Sequence, residues 1–495
     1  MEDWFGYSTS ISADGSAFAV GAPLNDDNGA DSGQVRVYKF KSLVDGYTQV
    51  GFGINGETTG DTFGHSMSMS ADGTTLVVGA PYNDGSGANS GHVRVYKYNL
   101  STNSYEQVGS DINGKISGDA FGYSVSMSAD GTVFVVGAPY NDNNGMASGH
   151  VRVYKYSPLL NEYGQIGVDI NGEAASNLFG YSVSISADGT TFVVGAPFND
   201  NSGHIRVYKY NASMARYLQF GSDIDGEGLL DSFGFSVSMS ADGSALVVGA
   251  PFNDGNGSNS GHVRVYKLNA STGSGSSYVK VGLDINGEAV GDNFGSSVSM
   301  SADGATFVVG APKSDANGIS SGRVRFYTYS PSIQSYTQDI NNILDGGNFG
   351  GTFGNSVSMS ANGKAVVIGA SQNDGSGIGA GHIRVFQIIP EPTKAPTKSP
   401  SKAPAVPVAV AVPFTAPIAA PLPMKSPVSV PFAVSPPIQG PAVVTAPSNG
   451  TKAPISAAPV MKTPKDCGLF GLNVFCLRRG GCGFVRRLFN INGCS

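Results

Sequence analysis

One pattern recurs seven times in the first 390 residues and limits the possible folds more than any other feature. Each copy starts with Phe-Gly and reaches a Gly-Ala pair 16 residues after the Phe. The copies begin at Phe5, Phe63, Phe121, Phe179, Phe233, Phe294 and Phe353. Six continue as Gly-Ala-Pro and the last as Gly-Ala-Ser. In-phase repetition of a unit of about 58 residues indicates a repeat architecture.

The third copy shows what each unit can form. Residues 123–128 and 150–156 alternate apolar and polar side chains, the period of a strand. Residues 134–138 form a short apolar run, and Asp130-Gly131 suits a tight turn. A weaker strand covers about residues 163–170. In chain order we call these strands A (123–128), B (134–138), C (150–156) and D.

These strands predict an all-β fold. One four-stranded antiparallel meander cannot hide two apolar faces, whereas radial stacking of several sheets hides both. We therefore predict a seven-bladed β-propeller of four-stranded antiparallel blades. A β-solenoid is the alternative, although its repeats are usually shorter.

The repeated unit resembles the FG-GAP repeat of the integrin α-subunit β-propeller and of related surface proteins. The resemblance covers residues 1–389 and implies extracellular recognition or adhesion, with the ligand face at the end of the B–C and D–A loops. Many integrin copies carry a calcium loop of the type Asp-x-Asp-x-Asp-Gly. Here the A–B turn holds only Ser-Ala-Asp-Gly, with Asn362 in the last copy. A lone Asp cannot supply the six to eight oxygens of a calcium site, so that site is not inherited.

The repeats predict 27 strands rather than 28. No strand D follows the seventh strand C, and none precedes the first copy. We expect the missing strand, together with a secretion signal, to lie upstream of Met1 in a longer chain. Tail residues 406–412 filling the gap are the alternative.

Composition divides the chain into three parts. Residues 1–389 form the propeller, 390–465 a stalk rich in Pro, Ala, Thr and Lys that we expect to be disordered, and 466–495 a Cys-rich module. The stalk is either O-glycosylated or an unmodified linker. Six prolines between residues 403 and 423 argue against a membrane-spanning helix. The propeller carries 19 basic and 35 acidic residues, a balance that disfavours nucleic-acid binding.

The four cysteines and the glycosylation sequons suggest secretion. An even number of cysteines in a short module predicts two disulfides without fixing their pairing: Cys467, Cys476, Cys482 and Cys494. Nearby Arg pairs suit docking to an acidic polymer or a membrane surface. The alternative is a disulfide-linked terminal module that docks to nothing. The candidate N-glycosylation sites are Asn99, Asn211, Asn256, Asn269 and Asn449.

Each B–C loop carries one aspartate, which makes this end of the propeller the candidate binding face. The candidates are Asp26, Asp84, Asp142, Asp200, Asp254, Asp315 and Asp374. The D–A loops add further acids at the same end. These aspartates could bind Ca²⁺ weakly, but Asx turns explain the same Asn-Asp-x-x-Gly letters without a metal. We expect no cofactor, and no metal site other than weak Ca²⁺ binding at these loops.

No catalytic constellation stands out. Nearly every polar residue belongs to the repeat, including an Arg in each strand C that we interpret as a structural cation paired with an acid. Five histidines recur at the start of strand C, where Gln34 and Arg323 substitute in the other copies, so a catalytic or metal role is not expected. The sequence predicts a non-enzymatic secreted, cell-surface or cell-wall protein that binds a protein or glycan. The alternatives are a structural matrix component and, less favoured, a polysaccharide lyase or glycosidase.

Overall fold

The structure is a computed structural model that describes residues 2–42, 44–269, 277–347 and 349–387. Within them the chain forms seven antiparallel sheets, one for each copy of the repeat. The strands follow the order A–B–C–D in the first six sheets and A–B–C in the seventh, and each strand A lies beside strand A of the neighbouring sheets. The predicted seven-bladed β-propeller is therefore confirmed, with strand A nearest the axis.

The described residues fall in the first of two units, Met1–Ser399. The second unit, Pro400–Ser495, contains most of the predicted stalk and the whole Cys-rich module. The four cysteines and Asn449 thus lie outside the described residues, and their predicted roles stay predictions.

Strands A and B form the inner half of every blade. Strand A spans Ser8–Ile11, Ser66–Met69, Ser124–Met127, Ser182–Ile185, Ser236–Met239, Ser297–Met300 and Ser356–Met359. Strand B spans Ala17–Ala22, Thr75–Ala80, Val133–Ala138, Thr191–Ala196, Ala245–Ala250, Thr306–Ala311 and Ala365–Ala370. Strand B is buried almost throughout because a neighbouring blade covers each of its faces, which explains its unbroken apolar sequence.

Strand C pairs with the full length of strand B in each blade. It spans Gln34–Ser42, His92–Asn99, His150–Ser157, His204–Asn211, His262–Asn269, Arg323–Ser330 and His382–Gln387. The B–C loop of blade 4 is four residues shorter than the others and contains a 3₁₀ turn, Asn199–Asn201.

Strand D differs from the single strand that the sequence predicts. In five blades it is divided into two short strands, which are Gly46–Gln49 and Ile54–Asn55, Ser104–Gln107 and Ile112–Asn113, Arg216–Gln219 and Ile224–Asp225, Ser277–Lys280 and Ile285–Asn286, and Ser335–Gln338 and Leu344–Asp345. In four of them a glycine with positive φ, such as Gly109, lies between the two short strands. Blade 3 keeps one strand, Glu162–Asn171, with a register shift opposite Val151 and Val153. Blade 7 has three strands among the described residues, in line with the predicted total.

The apolar core lies between blades. Val93 and Val95 of blade 2, for example, pack with Phe121, Phe134 and Val136 of blade 3. Equivalent clusters fill the other inter-blade spaces, and the last one joins blade 7 to blade 1. Each blade buries both faces in this way, which is the reason a radial arrangement satisfies the sequence.

The repeated motif itself is an inter-blade contact. Six of the seven motif phenylalanines are buried, and Phe121 has no exposed surface, whereas Phe5 is partly buried. The motif glycines Gly79 of blade 2 and Gly122 of blade 3 approach so closely that a Cβ on Gly79 would collide with the Gly122 carbonyl oxygen. Only glycine fits this close approach.

Three rings of hydrogen bonds connect adjacent blades around the axis. The first serine of each strand A donates to the motif Gly carbonyl of the next blade at 2.6–2.8 Å. The second serine accepts a backbone N–H from the next strand A at 2.9–3.2 Å. The third ring joins backbone amides of the A–B turns at 2.8–2.9 Å, from Ala13 through Ala71, Ala129, Ala187, Ala241, Ala302 and Ala361 back to Ala13.

The same contacts close the circle between the first and last blades. Phe5 forms a bridge with Gly381, and the Ala361 N–H donates to the Ala13 carbonyl at 2.9 Å. Ser356 donates to the Gly6 carbonyl at 2.8 Å. Contacts between blades 7 and 1 thus repeat those found elsewhere in the ring.

Candidate ligand-binding face

The two ends of the propeller are built differently. At one end, which we call the turn end, the Tyr105 hydroxyl of strand D donates to the Gly73 carbonyl of the A–B turn at 2.5 Å. At the other end the B–C loops meet the D–A loops, as where the Asn83 amide donates to the Asp61 carboxylate at 3.1 Å. We call this second end the loop face. The arrangement agrees with the geometry expected from the strand order.

All seven candidate aspartates are exposed on the loop face. In six of them one carboxylate oxygen accepts the backbone N–H five residues further on, at 2.7–3.0 Å. Asp200, in the shortened loop, instead lies in the 3₁₀ turn with a φ of 44°. These aspartates shape their own loops, as local side-chain capping does, and together they form an acidic crown.

The acids of the D–A loops are more enclosed than the sequence suggests. Asp61, Asp119, Asp231 and Asp292 are buried, and burial raises the pKa of Asp119 and Asp292. The amides of Asn83, Asn141 and Asn253 donate to the first three of these at 2.7–3.1 Å. Such acids connect neighbouring loops within the protein, so they contribute less to the accessible face than the crown does.

In five blades the recurrent arginine of strand C pairs with an acid, as predicted. Arg36 and Arg384 instead donate to the Gln34 side-chain oxygen and to the Asp345 carbonyl. Arg94 donates to Asp111 of its own blade at 2.9 Å and forms an ion pair with Glu57 of the preceding copy. Arg206 and Arg264 make equivalent pairs with Asp223 and Glu173, and with Asp284 and Glu227. Arg152, with 1% exposed surface, binds Asp169 at 3.0 Å. Pairing of this kind compensates for burying the guanidinium groups.

Two clusters bring metal-ligating atoms together beside these arginines. Glu57, His92 and Asp111 form one, and Glu173, His204 and Asp223 form the other, with ligand atoms within 4.8 Å of one another. In both clusters the two carboxylates already bind an arginine, Arg94 or Arg206. The guanidinium charge opposes a second cation at the same place.

At the centre of the loop face, the residue after each Phe-Gly pair surrounds the axis. In blade order these residues are Tyr7, His65, Tyr123, Tyr181, Phe235, Ser296 and Asn355. The first five are neighbouring rings, with centroids 4.7–5.1 Å apart and planes tilted by 45–50°. Five consecutive blades therefore form a curved aromatic wall, and blades 6 and 7 complete the circle with small polar side chains.

A second tier comes from the residue after the Gly-Ala-Pro or Gly-Ala-Ser motif. In blade order it is Leu24, Tyr82, Tyr140, Phe198, Phe252, Lys313 and Gln372. Tyr82, Tyr140 and Phe252 contact the inner ring of their own blade, with centroids 5.9–6.4 Å apart. The inner ring lines a cavity of about 360 Å³ together with Phe252 and Lys313 of the second tier and with Asn293 and Pro312, and we call this cavity the axial cup. Its wall is aromatic on blades 1–5 and mainly polar on blades 6 and 7.

His65 is held neutral within the wall. Burial lowers the pKa of His65 to about 4. Its Nδ1 lies 3.2 Å from the Tyr123 carbonyl oxygen, which can only accept, so Nδ1 carries the proton. Nε2 then accepts from the Tyr7 hydroxyl at 3.2 Å. These bonds fix the histidine as a member of the aromatic wall.

Sequence reasoning missed the axial cup. The aspartates stand out because they repeat, whereas the cup lies in two columns where the copies differ. Comparing the residue after each Phe-Gly and after each Gly-Ala-Pro, copy by copy, would have revealed the aromatic run and its interruption at Ser296 and Lys313.

The sequons are divided between the two ends. Asn99, Asn211 and Asn269 end strand C at the turn end, and Asn269 is exposed. Asn256 lies on the loop face, where its amide donates to the Gly287 carbonyl at 2.8 Å. Three of the candidates therefore lie away from the crown and the cup. Among the described residues, no helix is both long and apolar enough to cross a membrane.

A family model described as FG-GAP repeat matches residues 1–38, 55–96, 113–154, 171–208, 224–266 and 286–327. A comparison with curated proteins found no significant match. Among solved structures, hydrazine synthase from Kuenenia stuttgartiensis is 14% identical with a TM-score of 0.49, over 77% of this chain and 95% of that chain. The periplasmic gluconolactonase of Pseudomonas aeruginosa is 17% identical with a TM-score of 0.46, over 69% and 85%. Similarity this low says nothing about function.

Proposed function

We propose that this chain, which belongs to the FG-GAP repeat family, is an extracellular or cell-surface recognition protein that binds a protein or glycan through the loop face. FG-GAP repeats are typical of extracellular proteins, which supports the location. The loops of this face are carried on a closed ring of blades, and binding residues are often found on loops positioned by such a scaffold.

The observation that carries the proposal is the asymmetry of the axial cup. The serine rings use the same residue type in all seven blades, with Thr or Ala nowhere in their place. The cup positions instead hold aromatic residues in one arc and polar residues in the other. A concave site with aromatic rings on one side and a few polar groups on the other has the features of a ligand pocket.

Two other functions are less well supported. A structural matrix component would need no such asymmetric cup. A glycosidase of the common type needs two carboxylates beside the scissile bond, yet the described residues that line the cup include no acid. We therefore favour binding over catalysis.

The remaining parts of the proposal rest on the sequence. We infer that the Pro-rich segment holds the propeller away from the point where the basic Cys-rich module docks. We infer two disulfides in that module and N-glycans on the turn end. Partial digestion, followed by mass spectrometry with and without reduction, tests the disulfides and the glycans together.

The experiment for the proposed function uses the full chain on arrays of glycans and of extracellular proteins. The test variant is Asp84→Asn with Asp142→Asn, which removes two charges from the crown and keeps an acceptor oxygen for each loop. The control is Glu106→Gln with Glu162→Gln, the same charge change on the same two blades, at exposed positions toward the turn end. We expect saturable binding that the crown variant weakens severalfold and the control does not. Absence of any saturable ligand would favour a structural component.

A further inference from the structure

We propose that the axial cup binds the terminal pyranose ring of a glycan. The inference rests on the proposed function, because it assigns a ligand class to the same loop face.

The aromatic wall suits one face of a sugar ring. Tyr123, Tyr181 and Phe235 are half-buried, so part of each ring faces the open cup. Their mutual tilt makes a curved apolar surface rather than a closed stack. A pyranose presents C–H groups on its faces, and these pack on aromatic rings while the hydroxyl groups point outward from the edge of the sugar.

The polar wall suits that hydroxyl edge. Asn293, Ser296, Lys313 and Asn355 lie together on the side of blades 6 and 7. The Asn355 amide donates to the Tyr7 carbonyl at 3.3 Å, which leaves its oxygen to accept from a ligand. Lys313 is exposed, and no described acid lies within salt-bridge distance of its ammonium group. The wall therefore offers donors and acceptors together, as the hydroxyl groups of a sugar require.

The volume of the cup and the charges around it restrict the class of ligand further. A cavity of about 360 Å³ is at the small end of ligand pockets and matches one sugar residue rather than a chain. The acidic crown around it repels polyanionic polymers. An aromatic cup also attracts cations, but Lys313 in the wall opposes a cationic side chain. A single terminal sugar satisfies all of these conditions.

The test uses saturation-transfer NMR on the full chain with methyl glycosides of glucose, galactose, mannose, N-acetylglucosamine and glucuronic acid. The only tryptophan, Trp4, gives a second readout, because it stacks on Tyr7 with centroids 5.8 Å apart. We expect at least one glycoside to bind saturably, with the strongest transfer to protons on one face of the sugar and a change in Trp4 fluorescence.

Three variants locate the binding. Phe235→Leu removes one aromatic face and keeps an apolar side chain, and Lys313→Met removes the cation at similar length. We expect each to weaken binding roughly tenfold, the order of one lost aromatic or charge-assisted contact. The control is Phe52→Leu, because Phe52 is 95% exposed and lies outside the cup. Thermal unfolding of each variant checks that the fold is kept.

The outcomes separate this inference from the proposed function. If no glycoside binds, or if Phe235→Leu and Lys313→Met bind as the native chain does, the cup is not a sugar site. In that case array binding that still depends on the crown would preserve the recognition function. Binding of an N-acetyl-lysine amide or lysine methyl ester in the cup, with no sugar bound, would likewise overturn the inference in favour of a peptide ligand.

Discussion

The serine rings and the axial cup surround the same axis, yet the rings keep one residue type in all seven blades whereas the cup varies from blade to blade. Each serine ring has the same residue type in all seven blades, and each member makes the same contact with the next blade. The cup has five aromatic positions and two small polar ones in its inner tier. In these two sets of residues, repetition coincides with contacts between blades, and variation coincides with the surface open to a ligand. We infer that the rings determine stability and the cup determines binding.

The largest expected effect tests the repeated contacts between blades. Gly137→Ala in blade 3 would bring a Cβ against the Gly180 carbonyl of blade 4, a backbone atom that cannot easily move. We expect a loss of about 3 kcal/mol in the free energy of unfolding, or failure to fold. The control is Gly164→Ala in the same blade, where no atom lies within 4 Å of the added Cβ. Chemical denaturation of both variants measures the difference, and equal stabilities would contradict the role given to the motif glycines.

A smaller effect is expected from one member of a serine ring. Ser126→Ala removes the oxygen that accepts the Ile185 N–H at 3.1 Å, and leaves that group without this partner. We expect a loss of about 1–2 kcal/mol in the free energy of unfolding.

Its counterpart in the cup is Ser296→Ala, which removes only a bond to the Asn293 carbonyl in its own loop. We expect a change within about 0.5 kcal/mol in stability, with any effect falling on glycoside binding instead. If Ser126→Ala and Ser296→Ala lost the same amount of stability, the inference that the rings determine stability and the cup determines binding would be wrong.

His65 gives a pH-dependent test within the cup. Its folded pKa is about 4, below the ordinary value of 6.5, so the unfolded chain binds a proton more readily between these values. The stability that neutral His65 contributes is complete above about pH 6.5 and is lost as the pH falls toward 4.

The variant is His65→Tyr, since Tyr fills the same position in three other blades. At acidic pH we expect the variant to be more stable than the native chain by about 1 kcal/mol in the free energy of unfolding. The effect is no larger because part of the His65 ring faces the open cup. The five strand C histidines, whose pKa values burial also lowers, should leave the rest of the slope in place. Denaturation curves at pH 7.5 and 4.5 measure this. An unchanged slope would show that His65 does not titrate as a buried group.

The smallest effect is expected on chelation. In six loops the crown aspartates already use one oxygen for a backbone N–H, so the loops are capped without a metal. We expect the midpoint of thermal unfolding to be the same with and without a calcium chelator. A clear fall in this midpoint on chelation would show that the crown aspartates bind a metal ion and do not only cap their own loops.

The sequence predicted the fold well because its information is repeated. The spacing of Phe-Gly and Gly-Ala and the alternation in strand C occur seven times, and the Asp-Gly turn occurs six times with Asn362-Gly363 in the last copy, so chance variation in one copy is averaged out. The break in strand D was missed because glycines with positive φ, such as Gly109 and Gly167, occur in both divided and undivided strands D, so the letters do not indicate where the strand breaks. The enclosure of Asp119 and the axial cup were missed because each arises from residues of different copies, which only the closed ring brings together.

The circle of A–B turns, in which Ala13 follows Ala361 as Ala71 follows Ala13, has no first or last member. Mechanically it is a hoop. A pull on any one blade is divided between two arms that meet again on the far side, and a single broken bond leaves an unbroken path the other way round. If the propeller were anchored at its edge and pulled through a ligand bound at its centre, we would therefore expect the anchoring segment to yield before the ring of blades opens.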